Sequence, residues 1–361
     1  MKNIVLIFNQ LSNANGVARC AVSIANILSQ RNDTNVTLLP LYKSDKKIES
    51  TLNPKIRVKA CFNHYFPGFA KFLELIPGKF LYKKILSNDY YDIVIAFQYG
   101  IATYIVGSMK SVNNQKKMIW VHCYDENVKY RKEYLNVDKV VCVSKCNKER
   151  LENDLNVKGH VDYCYNPIND IIISEQGKES ISLKPNKNFQ FVTVGRLAKV
   201  KGFDRLIDCI YKLISNGHDC SLWIIGPGTE LNTLRNKIKE LNLENNVILV
   251  GAQSNPHRFT SKADIFVCSS YIEGYSTACT EAILLGVPVI TTPVSGAHEI
   301  IEEAQCGMIS KDFETDSLYE IMETVVTNPQ MVEEWKETLK KTRIAFTQAS
   351  RIEKLYKVLG L

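Results

Sequence analysis

Residues 273–282 read EGYSTACTEA and follow a short apolar run, 265–268, with the composition of a buried strand. An apolar stretch comes next, so the segment is predicted to be a loop that leads into a helix. Free backbone N–H groups at a helix N-terminus suit a phosphate, and Gly274 lets the backbone come close to a ligand. Glu273 and Glu281 bracket the turn, and their carboxylates can accept hydrogen bonds from sugar hydroxyls.

Two cations precede this stretch in the same half of the chain. The motif GRL follows the predicted strand 189–194 and contains Arg196, and the motif KGF contains Lys201. Two cations at the carboxyl end of a strand, beside a helix start, would clamp a diphosphate. Either cation alone would also fit a solvated charge near a helix start. The tight turn GPG at 226–228 follows the next strand at the same predicted edge.

Strand and helix patterns alternate along both halves of the chain. This order predicts an α/β protein with two successive doubly wound parallel sheets, which bind ligands at the carboxyl ends of their strands. The predicted strands are 4–8, 92–96, 118–122, 140–143, 189–194, 222–225, 247–250, 265–268 and 287–291.

Together these motifs resemble glycosyltransferase family 4, whose members have the GT-B fold. The resemblance rests on the E-x7-E element at Glu273 and Glu281, on VGRL followed by KG, and on IGPG, in matching order and spacing across about residues 189–310. The first half matches more loosely. NGVAR at residues 15–19 stands where the family often has two glycines followed by Ala-Glu-Arg, so Asn15 and Ala18 depart from its pattern.

The resemblance implies two Rossmann-like domains that face each other across a cleft. The expected division is an acceptor-binding domain at 1–170, a polar linker at 171–187 and a nucleotide-sugar-binding domain at 188–340. A C-terminal helix at 341–361 is expected to pack back on the first domain.

The resemblance also implies roles for single residues of the second domain. Arg196 and Lys201 would hold the diphosphate and stabilise the leaving group as its charge develops. Glu281 would bind the ribose hydroxyls. Glu273 would bind hydroxyls of the transferred sugar, and as a covalent nucleophile it is the less favoured version. The backbone beside Glu273 would contribute from Gly274, Tyr275 and Ser276.

In the first domain the resemblance points to His122 and Gly16. His122, at the end of a predicted strand, would contact the sugar and join Glu273 as a catalytic residue. A histidine at a strand end is also often a structural hydrogen-bonding residue. Gly16 would allow a close approach of the first loop. No role is assigned to His64, His160, His218, His257 and His298.

No Asp-x-Asp motif occurs in the chain. Enzymes that hold a sugar nucleotide through a divalent metal usually need paired carboxylates of that kind. Two fixed cations can neutralise the diphosphate instead, so the chain is predicted to be metal-independent and to need no cofactor.

Charge differs sharply between the two halves. Residues 1–150 carry 23 Lys and Arg against 11 Asp and Glu, a net charge of +12, whereas residues 151–361 carry 22 against 27, a net charge of −5. A basic first half points to an anionic partner: a membrane surface, a pyrophosphate-linked lipid or a nucleic acid.

Aromatic and lysine side chains interleave between residues 64 and 85. This composition suits a patch that lies on an anionic membrane, although a core helix with solvated lysines would look similar. No apolar run reaches the roughly 18 residues that span a bilayer, and no secretory signal is recognised at the start. The expected location is therefore cytoplasmic, at the inner face of the cell membrane.

The predicted function is a retaining transfer of a hexose or N-acetylhexosamine from a UDP-sugar. The acceptor would be a lipid-linked oligosaccharide, a lipopolysaccharide or a capsule or exopolysaccharide. Alternatives are a GT-B-type sugar-nucleotide epimerase and a catalytically inactive partner subunit. A nucleic-acid-binding protein would leave the clamp and the glutamates without purpose. A dinucleotide dehydrogenase lacks its Gly-x-Gly-x-x-Gly motif after either first strand.

Overall fold

The computed structural model describes residues 1–12, 16–42, 45–62, 68–86, 89–111, 114–124, 129–157, 159–183 and 189–361. The chain divides into two compact units. The first unit is Met1–Pro167 together with Arg351–Leu361, and the second is Ile168–Ser350. Each unit has one parallel sheet with flanking helices, which confirms the predicted α/β class.

Within the described residues, the sheet of the first unit has seven parallel strands in the order β3-β2-β1-β4-β5-β6-β7. Its strands are β1 (Lys2–Phe8), β2 (Thr34–Pro40), β3 (Arg57–Val58), β4 (Ile93–Ala96), β5 (Lys116–Val121), β6 (Lys139–Cys142) and β7 (Val161–Tyr163). Its helices are α1 (Gly16–Ser29), α2 (Lys46–Glu49), α3 (Phe69–Glu74), α4 (Gly78–Leu86), α5 (Ile101–Gly107), α6 (Arg131–Leu135) and α7 (Lys145–Leu155).

The order of the strands reverses between β1 and β4, which pair side by side. This is a topological switch point, the place where open parallel sheets bind ligands. The interior of both strands is fully buried, as their apolar runs predict. The first unit therefore places two loops, one after Phe8 and one after Ala96, at its switch point.

The last helix of the chain, α16 (Gln348–Leu359), contributes most of its length to the first unit. Lys354 Nζ lies 2.6 Å from Asp162 Oδ1. The guanidinium of Arg31 lies 4.5 Å from the centre of the Tyr356 ring. These polar contacts hold the C-terminal turns against the N-terminal sheet.

In the part of the second unit that the structure describes, six parallel strands pair in the order β10-β9-β8-β11-β12-β13. They are β8 (Phe189–Val194), β9 (Cys220–Ile225), β10 (Val247–Gly251), β11 (Ile265–Cys268), β12 (Val289–Thr291) and β13 (Met308–Ile309). Its helices are α8 (Asp170–Gly177), α9 (Phe203–Ser215), α10 (Leu231–Glu240), α11 (His257–Thr260), α12 (Thr277–Leu284), α13 (Ala297–Ala304), α14 (Thr315–Thr327) and α15 (Pro329–Thr342).

The core of the second unit forms around α9. Its buried apolar face includes Phe203, Leu206 and Ile210, at the spacing that the sequence predicts for a helix. The switch point of this sheet lies between β8 and β11, which pair at Phe191 and Ile265. The loops after these two strands contain the motifs on which the predicted donor site depends.

The predicted linker at 171–187 differs from the structure in its first part. Residues Asp170–Gly177 form helix α8, and the side chain of Asn169 caps it by accepting from the Ile172 N–H at 3.1 Å. Ile173 and Gly177 are buried in the second unit. The polar composition of this segment gives no sign of a helix. Burial of one turn and the Asn169 cap nevertheless stabilise α8. Pro185 lies outside the described residues.

No helix in the described part of the chain combines the length and the apolar character needed to cross a membrane.

Candidate active site

The candidate site lies at the carboxyl ends of β8 and β11 in the second unit. Residues 195–202 follow β8, and residues 269–276 follow β11 and lead into α12. Of the second-unit residues that were predicted to bind the donor, these loops carry all except Glu281, which lies in α12. The sheet thus brings together residues that lie up to 85 positions apart in sequence.

Arg196 extends from a backbone that is fixed on both sides. The N–H of Gly195 donates to the carbonyl of Ile225 at 2.9 Å, and the N–H of Leu197 donates to the carbonyl of Pro227 at 2.8 Å. Gly226 has φ 143°, and a Cβ there would lie 2.0 Å from the carbonyl oxygen of Gly195. Glycine is therefore required for this approach, which leaves the Arg196 side chain exposed at the sheet edge.

Lys201 reaches the β11 loop because Gly202 permits a close backbone approach. Gly202 has φ 62°, and a Cβ there would lie 2.3 Å from the carbonyl oxygen of Ser269. Ser269 Oγ donates to the carbonyl of Lys201 at 2.8 Å, and the N–H of Tyr271 donates to the carbonyl of Val200 at the same distance. These hydrogen bonds join the loops after β8 and β11 along one edge of the sheet.

At this edge Lys201 and Glu273 form an ion pair. Lys201 Nζ lies 2.5 Å from Glu273 Oε1, and the two side chains are 26% and 17% exposed. Ser270 Oγ also donates to Glu273 Oε1 at 2.8 Å. Burial tends to lower the pKa of Lys201, but the charge and hydrogen bond of Glu273 outweigh it and raise the pKa. The ammonium group is therefore retained at neutral pH.

The loop after Glu273 ends in a capped helix N-terminus. Ser276 caps α12 by accepting from the N–H of Cys279 at 3.3 Å. The Tyr275 ring is buried, and a Cβ on Gly296 would lie 2.9 Å from its Cδ2 atom. The buried Tyr275 side chain therefore anchors the loop. Gly274 and Ser276 are buried as well.

Glu281 lies one turn further along α12 and faces His257. His257 Nε2 lies 3.3 Å from Glu281 Oε2, with side chains that are 13% and 12% exposed. The distance fits an ion pair, but the direction of Nε2 falls outside hydrogen-bond geometry. The sequence assigns His257 no role, and nothing in its spacing could have revealed this contact.

His122 lies directly after β5 in the first unit. Its Nε2 donates to the carbonyl of Phe97 at 3.1 Å, and its ring packs edge-on against the Phe97 ring at 4.7 Å. Burial lowers the pKa of His122 to about 4, with the carbonyl acting in the opposite direction. A neutral imidazole that donates from Nε2 carries a lone pair on Nδ1, which can accept from a sugar hydroxyl.

Gly16 is the first residue of α1, and no described atom beyond its chain neighbours and its own helix backbone lies within 4 Å of a Cβ built there. The described structure therefore leaves open space beside it, at the N-terminus of a helix. Asn15, which replaces a family glycine, lies outside the described residues. Ala18 is fully buried on α1.

Known proteins share the fold of this chain and part of its sequence. Residues 175–342 match the family of glycosyl transferases group 1. Over 347 residues the chain is 26% identical to the N-acetylgalactosamine-N,N'-diacetylbacillosaminyl-diphospho-undecaprenol 4-alpha-N-acetylgalactosaminyltransferase of Campylobacter jejuni, and the match covers 92% of each protein. The crystal structure of Anabaena HepE in complex with UDP-glucose superposes with a TM-score of 0.77 at 17% identity, covering both chains completely. The chain is a GT-B glycosyltransferase.

A second solved structure supports the same fold. WaaG, a glycosyltransferase involved in lipopolysaccharide biosynthesis, aligns with a TM-score of 0.72 at 16% identity over 98% of this glycosyltransferase and 99% of WaaG. At this level of identity the likeness establishes the fold. The predicted GT-B architecture is confirmed.

Arg205 stabilises the edge that carries Lys201 and Glu273, and sequence reasoning missed it. Its side chain is 3% exposed, and its guanidinium donates to the carbonyls of Ser269 and Phe313. The same group lies 3.9 Å from the centre of the Tyr271 ring. Burial lowers the pKa of Arg205, although a guanidinium remains charged in proteins. The residue lies off the apolar stripe of α9, so helical periodicity gives no signal for it.

The protonation state of His122 is directly testable. In the glycosyltransferase labelled with ¹³C in its histidine rings, we expect one ring to titrate with a midpoint near pH 4, well below the 6.5 of an unperturbed histidine. NMR spectra recorded between pH 3.5 and 8 measure this midpoint, and His122→Gln identifies the signal by its loss. A midpoint above pH 6 for that signal would show that His122 is a conventional acid or base.

Proposed function

We propose that the chain is a retaining, metal-independent member of glycosyltransferase family 4. It transfers a hexose or N-acetylhexosamine from a UDP-sugar to a lipid-linked oligosaccharide, a lipopolysaccharide, or a capsule or exopolysaccharide acceptor. The observation that carries this proposal is the single sheet edge that holds Arg196, the Lys201–Glu273 pair and the N-terminus of α12.

Each group at this edge has a chemical counterpart in a nucleotide diphosphate sugar. Arg196 and Lys201 neutralise the diphosphate, and the N–H groups at the start of α12 add to that field. Glu281 accepts from the ribose hydroxyls, and Glu273 accepts from hydroxyls of the sugar. In the first unit, His122 offers Nδ1 as an acceptor for a hydroxyl. Because His122 is neutral, it selects a hydroxyl donor rather than a phosphate oxygen.

The reaction follows a front-face route. The bond between the anomeric carbon and the diphosphate oxygen breaks, and its electron pair leaves with the diphosphate. The acceptor oxygen attacks the same face of the sugar and forms the new glycosidic bond. Its proton passes to the departing diphosphate oxygen. Arg196 and Lys201 stabilise the charge that develops there, which is their contribution to rate.

The names of the relatives support both the proposed donor and the proposed acceptor. The Campylobacter jejuni relative acts on a diphospho-undecaprenol-linked acceptor and forms an alpha linkage, and it matches over 92% of the chain. HepE has been crystallised with UDP-glucose. These names favour a uridine diphosphate donor and an acceptor that a polyprenyl diphosphate anchors in the membrane.

A thermal-shift screen tests the donor assignment. Purified protein in EDTA is heated with UDP, GDP, ADP and their common sugar conjugates, because a ligand that binds only the native state raises its stability by mass action. We expect UDP and one or more UDP-sugars to raise the melting temperature. No shift with any of them, in protein shown to be folded by circular dichroism, contradicts the donor site. A shift that requires Mg²⁺ contradicts only the metal independence.

Location at the inner face of the cell membrane is part of the proposal, and two short helices support it. The core of the first unit takes up Phe69 and Leu73 from α3 and Leu81 and Ile85 from α4. The membrane-facing patch is defined by what these helices leave exposed: Lys71, Phe72, Leu75, Lys79, Phe80, Lys83 and Lys84. Exposed apolar side chains among lysines suit the headgroup region of an anionic bilayer. Residues 63–67 of the aromatic stretch lie outside the described residues.

Replacing Lys71, Lys79, Lys83 and Lys84 together with glutamine is expected to weaken binding to anionic vesicles at least tenfold, since each lysine near such a surface contributes about 1 kcal/mol. Co-sedimentation with phosphatidylglycerol vesicles measures the effect. A control with the same charge change replaces four exposed lysines of the second unit, Lys239, Lys262, Lys311 and Lys341. Equal loss in both variants would indicate an effect of net charge alone, and unchanged binding would remove the membrane assignment.

The alternatives are less well supported. An epimerase needs acid and base carboxylates at the sugar in addition to Glu273. An inactive partner subunit has no need of the Lys201–Glu273 pair or of an Arg196 held in place on both sides. Activity of the purified chain alone, with a UDP-sugar and a polyprenyl-diphosphate acceptor, separates these possibilities.

A further inference from the structure

We infer that His257 is a positioning residue for donor binding, which holds the carboxylate of Glu281 in the orientation that the donor requires. The inference rests on the proposed role of Glu281 toward the ribose. His257 Nε2 lies 3.3 Å from Glu281 Oε2, and both side chains are about seven-eighths buried. A carboxylate with so little contact with water needs polar neighbours of its own.

The ring of His257 is fixed from its other side. His257 Nδ1 lies 2.7 Å from Gln176 Oε1, an amide oxygen that accepts. Because Nδ1 donates to Gln176, Nε2 attracts the Glu281 carboxylate when it also carries a proton, as in an imidazolium. The imidazole lies at the start of α11, where it contacts Gln176 of α8 and faces Glu281 of α12.

The last turn of α8 is itself tied to the α11 region. Asn255 Nδ2 donates to the carbonyl of Gln176 at 2.9 Å, and Ser261 Oγ donates to the carbonyl of Gly177 at 2.6 Å. Asn255 is 7% exposed. These two bonds hold α8, the helix that carries Gln176, to one residue before α11 and one residue after it. His257 therefore occupies a rigid frame, and a rigid frame is what positions a flexible glutamate.

Glu281 and His257 therefore have different roles in donor binding. Glu281 contacts the ribose, whereas His257 lies against Glu281 and acts through it. A glutamate side chain loses conformational entropy when it is fixed against a ligand. Because His257 already restricts Glu281 in the free protein, donor binding costs less of that entropy. The effect belongs to donor binding, so it is expected in the donor KM and the UDP dissociation constant, while kcat stays within about twofold.

A double-mutant cycle on UDP binding tests the inference. Isothermal titration calorimetry with UDP, in EDTA, compares the wild-type chain with His257→Leu, Glu281→Ala and the double variant. We expect His257→Leu to weaken UDP binding about tenfold in the wild-type background and to have no further effect when Glu281 is alanine. His257→Gln, which keeps a polar group, is expected to recover most of the affinity. Gln176→Leu should act in the same direction as His257→Leu and covers the case in which that variant fails to fold.

The outcomes separate this inference from the proposed function. If His257→Leu weakens binding equally in both backgrounds, His257 acts on the fold of the loop and the inference fails. Unchanged affinity in both His257→Leu and Gln176→Leu also overturns it, while the donor site stands. If Glu281→Ala binds UDP as the wild type does, the ribose assignment fails instead. A fall in kcat as large as the rise in KM would place His257 outside donor positioning.

Discussion

Replacement of Arg196 with alanine is expected to lower kcat/KM for sugar transfer by about 10²–10³-fold and to leave folding unchanged. The side chain is exposed and forms no ion pair with any residue that the structure describes, so its removal costs little stability. Its backbone is held by the hydrogen bonds of Gly195 and Leu197, so the guanidinium starts from a fixed point. Charge on the departing diphosphate grows in the transition state, where a preorganised cation contributes most.

The Arg196 experiment has a matched control in the same loop. Lys199 is an exposed cation three residues away, and Lys199→Ala removes the same charge without touching the proposed clamp. We expect Lys199→Ala to keep at least about half of the activity. Arg196→Lys, which keeps the charge but loses the planar fork, is expected to fall between wild type and Arg196→Ala. Steady-state kinetics with saturating acceptor measure all three, and equal activity of Arg196→Ala and Lys199→Ala would exclude Arg196 from the clamp.

Much of this site was predictable because its signals are local in sequence. An apolar run that stops at a glycine or a small polar residue marks the carboxyl end of a strand, and parallel strands place those ends at one edge. Arg196, Glu273 and Ser276 each follow such a run or cap the helix after it, and the structure places all three at the edge of one sheet. The switch point between β8 and β11 then determines which loops meet.

The contacts between those residues were not predictable, because they depend on packing between distant segments. Sequence reasoning assigned Lys201 to the diphosphate and Glu273 to the sugar, 72 positions apart, whereas the structure joins them in one ion pair. His257 lies in a four-residue helix, too short to show a periodic pattern. Its partner Gln176 lies in a segment whose polar composition indicated a linker. Tertiary packing rather than local propensity decides such positions.

The second large effect is predicted for the Lys201–Glu273 pair, because its loss is expected to change stability and activity to different extents. Lys201→Met leaves the Glu273 carboxylate, 17% exposed, without its cation, although the Ser270 hydroxyl still donates to it. Breaking a partly buried pair on one side costs stability, here about 1–3 kcal/mol. The same change removes a diphosphate cation, so we expect kcat/KM to fall by about 10³-fold. Urea unfolding and steady-state kinetics measure the two effects separately.

The double variant Lys201→Met with Glu273→Gln distinguishes a catalytic pair from a structural one. Removing both charges leaves no uncompensated ion, so stability should return to within about 1 kcal/mol of the wild type. Activity should not return, because neither the diphosphate cation nor the sugar carboxylate is restored. A matched pair lies elsewhere in the same unit: Lys237 Nζ is 2.6 Å from Asp208 Oδ2, between α9 and α10. Lys237→Met with Asp208→Asn should keep nearly full activity. If the Lys201–Glu273 double variant recovered activity together with stability, the pair would serve only to join two loops, and the diphosphate would have to be held by Arg196 and the N-terminus of α12 alone.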